Sequence, residues 1–150
     1  MINMENNYNK IIKEIKKDFF RFRNGIVADK LRKIYPAGKM IYGLTVIELM
    51  KIAKDYPHDL NLGLELWKDK NNRESRLLAL YIIPPEEIDK ETVKGMIYDV
   101  ESSEEAEFLA FKILRRLPFA KELYDEISSF SPTASSAYCM EMFRKNLDQI

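Results

Sequence analysis

Two arginines follow a tryptophan and a short polar turn in the middle of the chain. Trp67 ends one apolar segment, and Arg73 and Arg76 fall in the first turn of the next. The helix dipole disfavours cations at that end, so a further interaction is needed to explain them. Guanidinium groups beside the N–H groups of a helix start suit phosphate oxygens. The alternative is an intramolecular ion pair, for example between Arg73 and an acidic side chain of the preceding helix.

A second group of cations lies later in the chain and consists of Lys112, Arg115 and Arg116. These side chains either extend the phosphate-binding surface or are simply solvated. The chain has 24 basic and 24 acidic residues, but residues 1–54 hold 12 basic and 5 acidic ones, and the rest hold 12 and 19. This asymmetry fits a basic face that attracts phosphates. It also fits two halves that attract each other, or helix faces whose charges are simply solvated.

Other chemistry has little support in the sequence. One histidine and one cysteine, Cys139, cannot form a structural zinc site, so we expect no metal. Cys139 lies at helical spacing on an apolar face and is expected to pack in the core. The chain contains no Gly-rich phosphate loop, and its paired carboxylates lie at helix starts or on solvated faces. We therefore expect no cofactor.

Length and composition indicate an ordinary globular protein. A chain of 150 residues with 46% hydrophobic and 32% charged residues is expected to form a single domain over residues 1–150. No apolar run approaches the roughly 20 residues that cross a membrane, and the first ten residues are too polar for a secretory signal. These features predict a cytoplasmic protein without a membrane partner.

Helical periodicity dominates the chain, and no segment shows the alternation of a β-hairpin. Capping signals and proline breaks predict nine helices in an all-α fold. Their lengths and short turns favour an α-α superhelix of antiparallel pairs, as in HEAT or armadillo-like repeats, over a compact bundle, although periodicity does not separate the two. The predicted helices cover residues 7–22, 26–34, 45–56, 59–67, 73–83, 89–98, 102–117, 118–130 and 133–147. Trp67 is expected to fill the junction between the fourth and fifth of them.

The segment from Leu66 to Pro85 resembles the signature of a known family. It has Leu-Trp, a short polar turn, Arg-Glu-x-Arg and an apolar helix, which is similar to the HEAT-like-repeat DNA alkylation repair family, the AlkD-like proteins. Upstream, the Tyr-Gly-Leu at residues 42–44 resembles the family's Tyr-Gly-Val or Phe-Gly-Val. Downstream, residues 103–120 are similar to a branch of short family members. The resemblance covers about residues 22–120.

This resemblance implies a concave, basic surface that holds the backbone of duplex DNA. Five cations are expected to contact phosphates: Arg73, Arg76, Lys112, Arg115 and Arg116. Two aromatic residues, Trp67 and Tyr42, are expected to brace the concave wall. Contacts of this kind with the backbone are weak and independent of DNA sequence. We also keep a second interpretation from another class, in which the chain is a helical-repeat module that binds a protein partner and no DNA.

In the family, excision of alkylated purines depends on a Trp-Asp-x-x-Asp segment, and the matching segment here runs from Tyr98 to Ser102. Tyr98 replaces the Trp, and Ser102 falls where the essential carboxylate belongs. Asp99 and Glu101, with Tyr98, are the remaining catalytic candidates, but on a helix Glu101 points about 100 degrees away from position 102. We therefore expect absent or much reduced glycosylase activity, with an active DNA glycosylase as the third interpretation.

Overall fold

The computed structural model describes residues 4–130 and 132–148, and this part of the chain is helical without a strand. The prediction of an all-α fold is confirmed. Over these residues nine α-helices and one short 3-10 helix follow each other along the chain. They are α1 (Met4–Arg21), α2 (Gly25–Leu31), α3 (Val46–Lys54), α4 (Leu60–Lys68), α5 (Arg73–Ile82), α6 (Lys90–Asp99), α7 (Ser103–Lys112), the 3-10 helix Leu114–Arg116, α8 (Ala120–Ile127) and α9 (Ala134–Leu147).

Side-chain caps fix most helix starts where the sequence predicts them. Thr45 and Glu48 form a reciprocal capping box at α3, because each side chain accepts a hydrogen bond from the other residue's backbone N–H. Asp59 caps α4 by accepting from Leu62 N at 2.9 Å. Asn72 accepts from Ser75 N at 3.0 Å and so caps α5. These short-range interactions need no tertiary contact, which is why the sequence locates them well.

The predicted helices on either side of Pro118 are shorter in the structure than the sequence indicates. The helix expected over residues 102–117 ends at Lys112 and continues only as the 3-10 turn, and the next α-helix begins at Ala120 rather than at Pro118. Leu117 is extended, with ψ of 138°. Proline disfavours a helical conformation in the preceding residue, so Pro118 breaks the chain between these helices.

The chain divides into two compact units, residues 1–82 and residues 83–150, which we call unit 1 and unit 2. Unit 1 contains 16 basic and 10 acidic residues, whereas unit 2 contains 8 and 14. The excess of basic residues in the N-terminal part of the chain is therefore also present when the chain is divided at the boundary between the two units, residue 82 rather than residue 54. The prediction of a single domain over residues 1–150 stays a prediction.

Unit 1 has its core where α4 and α5 pack against each other and against α1 and α3. Ile15 and Phe19 are the fully buried residues of α1. The segment between α2 and α3 is fixed to the start of α5 by an isolated β-bridge between Met40 and Asn72. In this bridge Arg73 N donates to Met40 O at 3.0 Å. The core thus holds the Tyr-Gly-Leu segment directly beside the Arg-Glu-x-Arg segment.

Unit 2 is built mainly on the packing of α7 against α9. Tyr124 and Phe143 meet edge to face with ring centroids 5.5 Å apart. Cys139 is fully buried and its Sγ lies 3.8 Å from Ala106 O, so the prediction that it packs in the core is confirmed. Over the described ranges of both units, no helix has the length and apolarity needed to cross a bilayer.

Candidate nucleic-acid interface

The Arg76 side chain is fully buried against Trp67. Its guanidinium carbon lies 3.5 Å from the centroid of the indole, and Nη1 donates to Trp67 O at 3.0 Å. This carbonyl lies at the C-terminal end of α4, where the helix dipole favours a cation. Contacts with Trp67 on the preceding helix therefore explain why a cation is found at the start of α5. Trp67 is 5% exposed and fills the α4–α5 junction, as predicted.

Arg73 is buried in an ion pair. Its guanidinium contacts the carboxylate of Glu74 and donates to Leu44 O at 3.2 Å. Glu74, fully buried, also accepts hydrogen bonds from Tyr42 N at 2.8 Å and Gly43 N at 3.1 Å. The contact with Glu74, its neighbour in sequence, supports the alternative interpretation of Arg73 as an ion-pair partner.

These contacts correct the prediction that Arg73 and Arg76 hold phosphates. The two residues are 5% and 0% exposed, so neither guanidinium presents a surface to DNA in this structure. Arg73 and Glu74 fix residues 42–44, and Arg76 joins α5 to α4. Trp67 is likewise enclosed by protein rather than placed on a surface. Of the two aromatic residues predicted to brace the DNA-binding surface, Tyr42 is the more accessible. It is half-buried, and its ring centroid lies 5.6 Å from that of Phe19.

In unit 2, two of the second predicted group of cations, Lys112 and Arg115, lie beside the exposed ring of Phe111. The guanidinium carbon of Arg115 lies 3.8 Å from the ring centroid of Phe111, which is 43% exposed, and its Nε donates to Phe111 O at 2.7 Å. Burial, and then the charges of Arg116 and Arg115, lower the pKa of Lys112. Such mutual repulsion is relieved by a bound anion.

The sequence analysis missed a row of cations on α1. Lys10, Lys13, Lys17 and Arg21 are all exposed and follow each other at steps of three and four residues. Such steps place side chains on one face of a helix, about 5–6 Å apart. Residues 10–39 contain 10 of the chain's basic residues and only 3 acidic ones, and this local excess was the available signal. We call these four residues the α1 row.

The catalytic candidates lie at the junction of α6 and α7. Tyr98 packs edge to face on Phe130 at 5.2 Å, Asp99 is the last residue of α6, and Glu101 is exposed. Ser102 caps α7 by accepting from Glu105 N at 3.1 Å. Because residues 100–102 are not helical, the expected 100-degree offset between positions 101 and 102 does not apply. Position 102 is a structural cap with 6% of its surface exposed.

No group of three or more potential metal ligands occurs in the part of the chain that the structure describes. Comparisons with protein-family models, with curated proteins and with solved structures find no match to this chain.

Proposed function

We propose that this chain binds the backbone of duplex DNA through exposed cations, as a HEAT-like repeat protein related to the DNA alkylation repair family that lacks the catalytic carboxylate. In this proposal the helical pairs, of which α4 and α5 are one, stack as HEAT-like repeats. Binding is weak, micromolar or poorer at physiological salt, because it depends on phosphate charge rather than on base contacts.

The observation that carries the proposal is the α1 row. Four exposed cations on one helix face form a linear, positively charged surface that suits a phosphate backbone. Lys16, by contrast, pairs with Asp69 at 3.1 Å and lies off the row. Unit 1 as a whole carries an excess of six positive charges, so the row lies in a favourable field.

The cluster of Lys112, Arg115 and Arg116 in unit 2 supports the same chemistry. Unit 2 carries an excess of six negative charges, yet these three cations are concentrated at the end of α7 and the 3-10 turn. A local cationic cluster on an acidic unit suits a local anionic contact better than general attraction to nucleic acid.

The test is a salt titration of duplex DNA binding by the full chain. Each neutralised phosphate contributes about −0.9 to the slope of log K against log salt. A variant with Lys10, Lys13 and Lys17 changed to Ala is expected to reduce the magnitude of the slope by about 2 to 3 and to weaken binding for every DNA sequence.

The matched control changes three other exposed lysines of unit 1, Lys51, Lys54 and Lys68, to Ala. It removes the same net charge and is expected to leave the slope nearly unchanged. If both triple variants lower the slope equally, only net charge matters and the α1 row is not the binding surface. If the parent protein does not bind DNA even at low salt, the proposed function is wrong.

One observation favours the second interpretation, a module that binds a protein partner. Val46, Ile47 and Met50 of α3 are 43%, 66% and 42% exposed, and together they form an apolar patch. Exposed apolar patches are typical of interaction surfaces. An absence of DNA binding together with a substantial effect of Ile47→Ser on self-association, measured by analytical ultracentrifugation, would favour this interpretation.

A further inference from the structure

A cleft opens in unit 1 between the end of α1, the start of α2 and the segment at residues 40–42. We call it the arginine cleft, and its lining includes Phe20, Arg21, Arg23, Arg32, Met40 and Tyr42. Its volume is about 670 Å³, which lies in the range of small-molecule sites. It is open to solvent, and the exposed part of its lining is mainly apolar.

Charge around the cleft is positive. Three guanidinium groups line it, and none of its lining residues is acidic. Arg21 lies 3.7 Å from Asp18, whose side chain is 18% exposed, and Arg32, the residue that follows α2, contacts Asp29 in an exposed pair. The exposed Arg32–Asp29 pair contributes little to stability, so a phosphate can compete with it. The cleft therefore favours a ligand with at least one negative charge.

Arg23 is the best positioned of the three. Its Nη1 donates to Phe20 O at 2.8 Å, and its guanidinium carbon lies 3.7 Å from the centroid of the Phe20 ring. No carboxylate of the described residues lies within ion-pair distance of it. Stacking and hydrogen bonding hold the guanidinium in place while its other N–H groups stay available, and such preorganisation favours binding of a planar or tetrahedral oxyanion.

The apolar part of the cleft is unusually accessible. Phe20 is 57% exposed and Met40 is 53% exposed, whereas Ala28 and Ile41 behind them are buried. Tyr42 adds a half-buried aromatic side chain. Aromatic rings and guanidinium planes are the surfaces on which unpaired bases stack. A ligand with an apolar planar body and a charged end therefore matches both parts of the cleft.

We propose that the arginine cleft binds a nucleoside phosphate, supplied as an unpaired nucleotide of a bound strand, with the phosphate on Arg23 and the base against Phe20 and Met40. This inference rests on the proposed function, and it deepens it, because the row on α1 ends at Arg21, which also lines the cleft. The row thus leads a strand to a place where one nucleotide is held.

The experiment is isothermal titration calorimetry of the full chain with dAMP, deoxyadenosine and inorganic phosphate. We expect dAMP to bind at least tenfold more tightly than deoxyadenosine or inorganic phosphate, because only dAMP contacts both the cationic and the apolar part of the cleft. A single-stranded oligonucleotide is expected to displace dAMP. Binding of phosphate as tight as that of dAMP would overturn the proposal, since the apolar surface would play no part.

Two variants locate the site by different means. Arg23→Ala removes the positioned cation and is expected to weaken dAMP binding at least tenfold. Gly25→Val adds a side chain at a residue that lines the cleft, where no atom lies within 4 Å of an added Cβ, and is expected to obstruct the cleft without changing its charge. The matched control is Lys54→Ala, an exposed cation of unit 1 outside the cleft. Parental dAMP binding in both Arg23→Ala and Gly25→Val would overturn the proposal.

Failure of this inference is distinguishable from failure of the proposed function. If duplex binding depends on the α1 row while dAMP does not bind, the cleft proposal is wrong and the proposed function stands. If dAMP binds in the cleft but no single strand displaces it, the assignment to a strand is overturned. If the triple variant of Lys10, Lys13 and Lys17 loses duplex binding but still binds dAMP, the α1 row and the arginine cleft contribute separately to nucleic-acid binding.

Discussion

The carboxylate of Glu74 accepts a hydrogen bond from the backbone N–H of Gly43 at 3.1 Å, across 31 positions of sequence. The same carboxylate accepts from Tyr42 N and contacts the guanidinium of Arg73. The Tyr-Gly-Leu and Arg-Glu-x-Arg segments, which carry the family resemblance separately in the sequence, are therefore parts of one buried assembly. The role of this buried assembly in unit 1 is structural.

Glu74→Gln is expected to destabilise the protein by about 3 kcal/mol, because it removes a buried carboxylate that contacts the buried Arg73 cation. Urea denaturation followed by circular dichroism measures this change. The matched control is Glu65→Gln, which removes an exposed carboxylate paired with Lys68 and is expected to cost less than about 1 kcal/mol. Equal effects of the two substitutions would show that the buried assembly is not important for stability.

Gly43→Ala is expected to be more damaging than Gly38→Ala. Both glycines have positive φ, 86° and 91°, so both substitutions carry a backbone cost of about 1–2 kcal/mol. An added Cβ at Gly43 would also lie 2.3 Å from Asn24 O, whereas none of the chain lies within 4 Å of one at Gly38. Thermal denaturation of the pair measures the difference, and a smaller loss at Gly43 would contradict this account.

Arg76→Lys is expected to change the protein's fluorescence but not its DNA binding. Trp67 is the chain's single tryptophan, so its emission reports directly on the stacked guanidinium. A lysine cannot reproduce the planar stack together with the hydrogen bond to Trp67 O, so we expect a shifted emission and a stability loss of about 1–3 kcal/mol. In Arg76→Ala, which removes the charge, a salt slope for duplex DNA whose magnitude falls by about 1 would instead place Arg76 on the phosphates.

Helix caps, which depend on residues close in the chain, could be predicted from the sequence. The directions of side chains that depend on tertiary contacts could not. Thr45 and Asp59 cap their helices through residues three positions away, so their roles were readable. The direction of Arg76 depends on a ring nine positions earlier, and the pattern of charges alone did not show that this arginine points inward. The α1 row could have been predicted from the sequence, because the apolar face of α1 determines which of its lysines are exposed.

Cys139 gives a pH dependence with a defined sign. Burial raises the pKa of the Cys139 thiol to about 12, compared with about 8.5 in an unfolded chain. Between these values the unfolded state releases a proton that the folded state keeps, so stability falls as pH rises. We expect a loss of about 2 kcal/mol by pH 10 from this group. Urea denaturation between pH 8 and 10 measures it, and Cys139→Ala is expected to remove this part of the fall.

The last prediction concerns base excision. Loss of an alkylated purine builds positive charge on the deoxyribose, and a carboxylate held against it stabilises the transition state far better than a neutral hydroxyl. Ser102 is neutral and its Oγ is used to cap α7, with 6% of the residue exposed. Losing one well-placed group of this kind costs about 10² to 10³ in rate. We therefore expect no release of 7-methylguanine or 3-methyladenine from methylated duplex above the spontaneous rate.

Three variants make this test two-sided. Asp99→Ala and Glu101→Ala are expected to leave the rate of base release at the spontaneous level. Ser102→Asp is also expected not to create activity, because a carboxylate there would accept from Glu105 N and remain a cap rather than face a sugar. Release by the parent protein that is lost in Glu101→Ala would show instead that the exposed carboxylate next to the cap performs the catalysis, and that the chain is an active glycosylase.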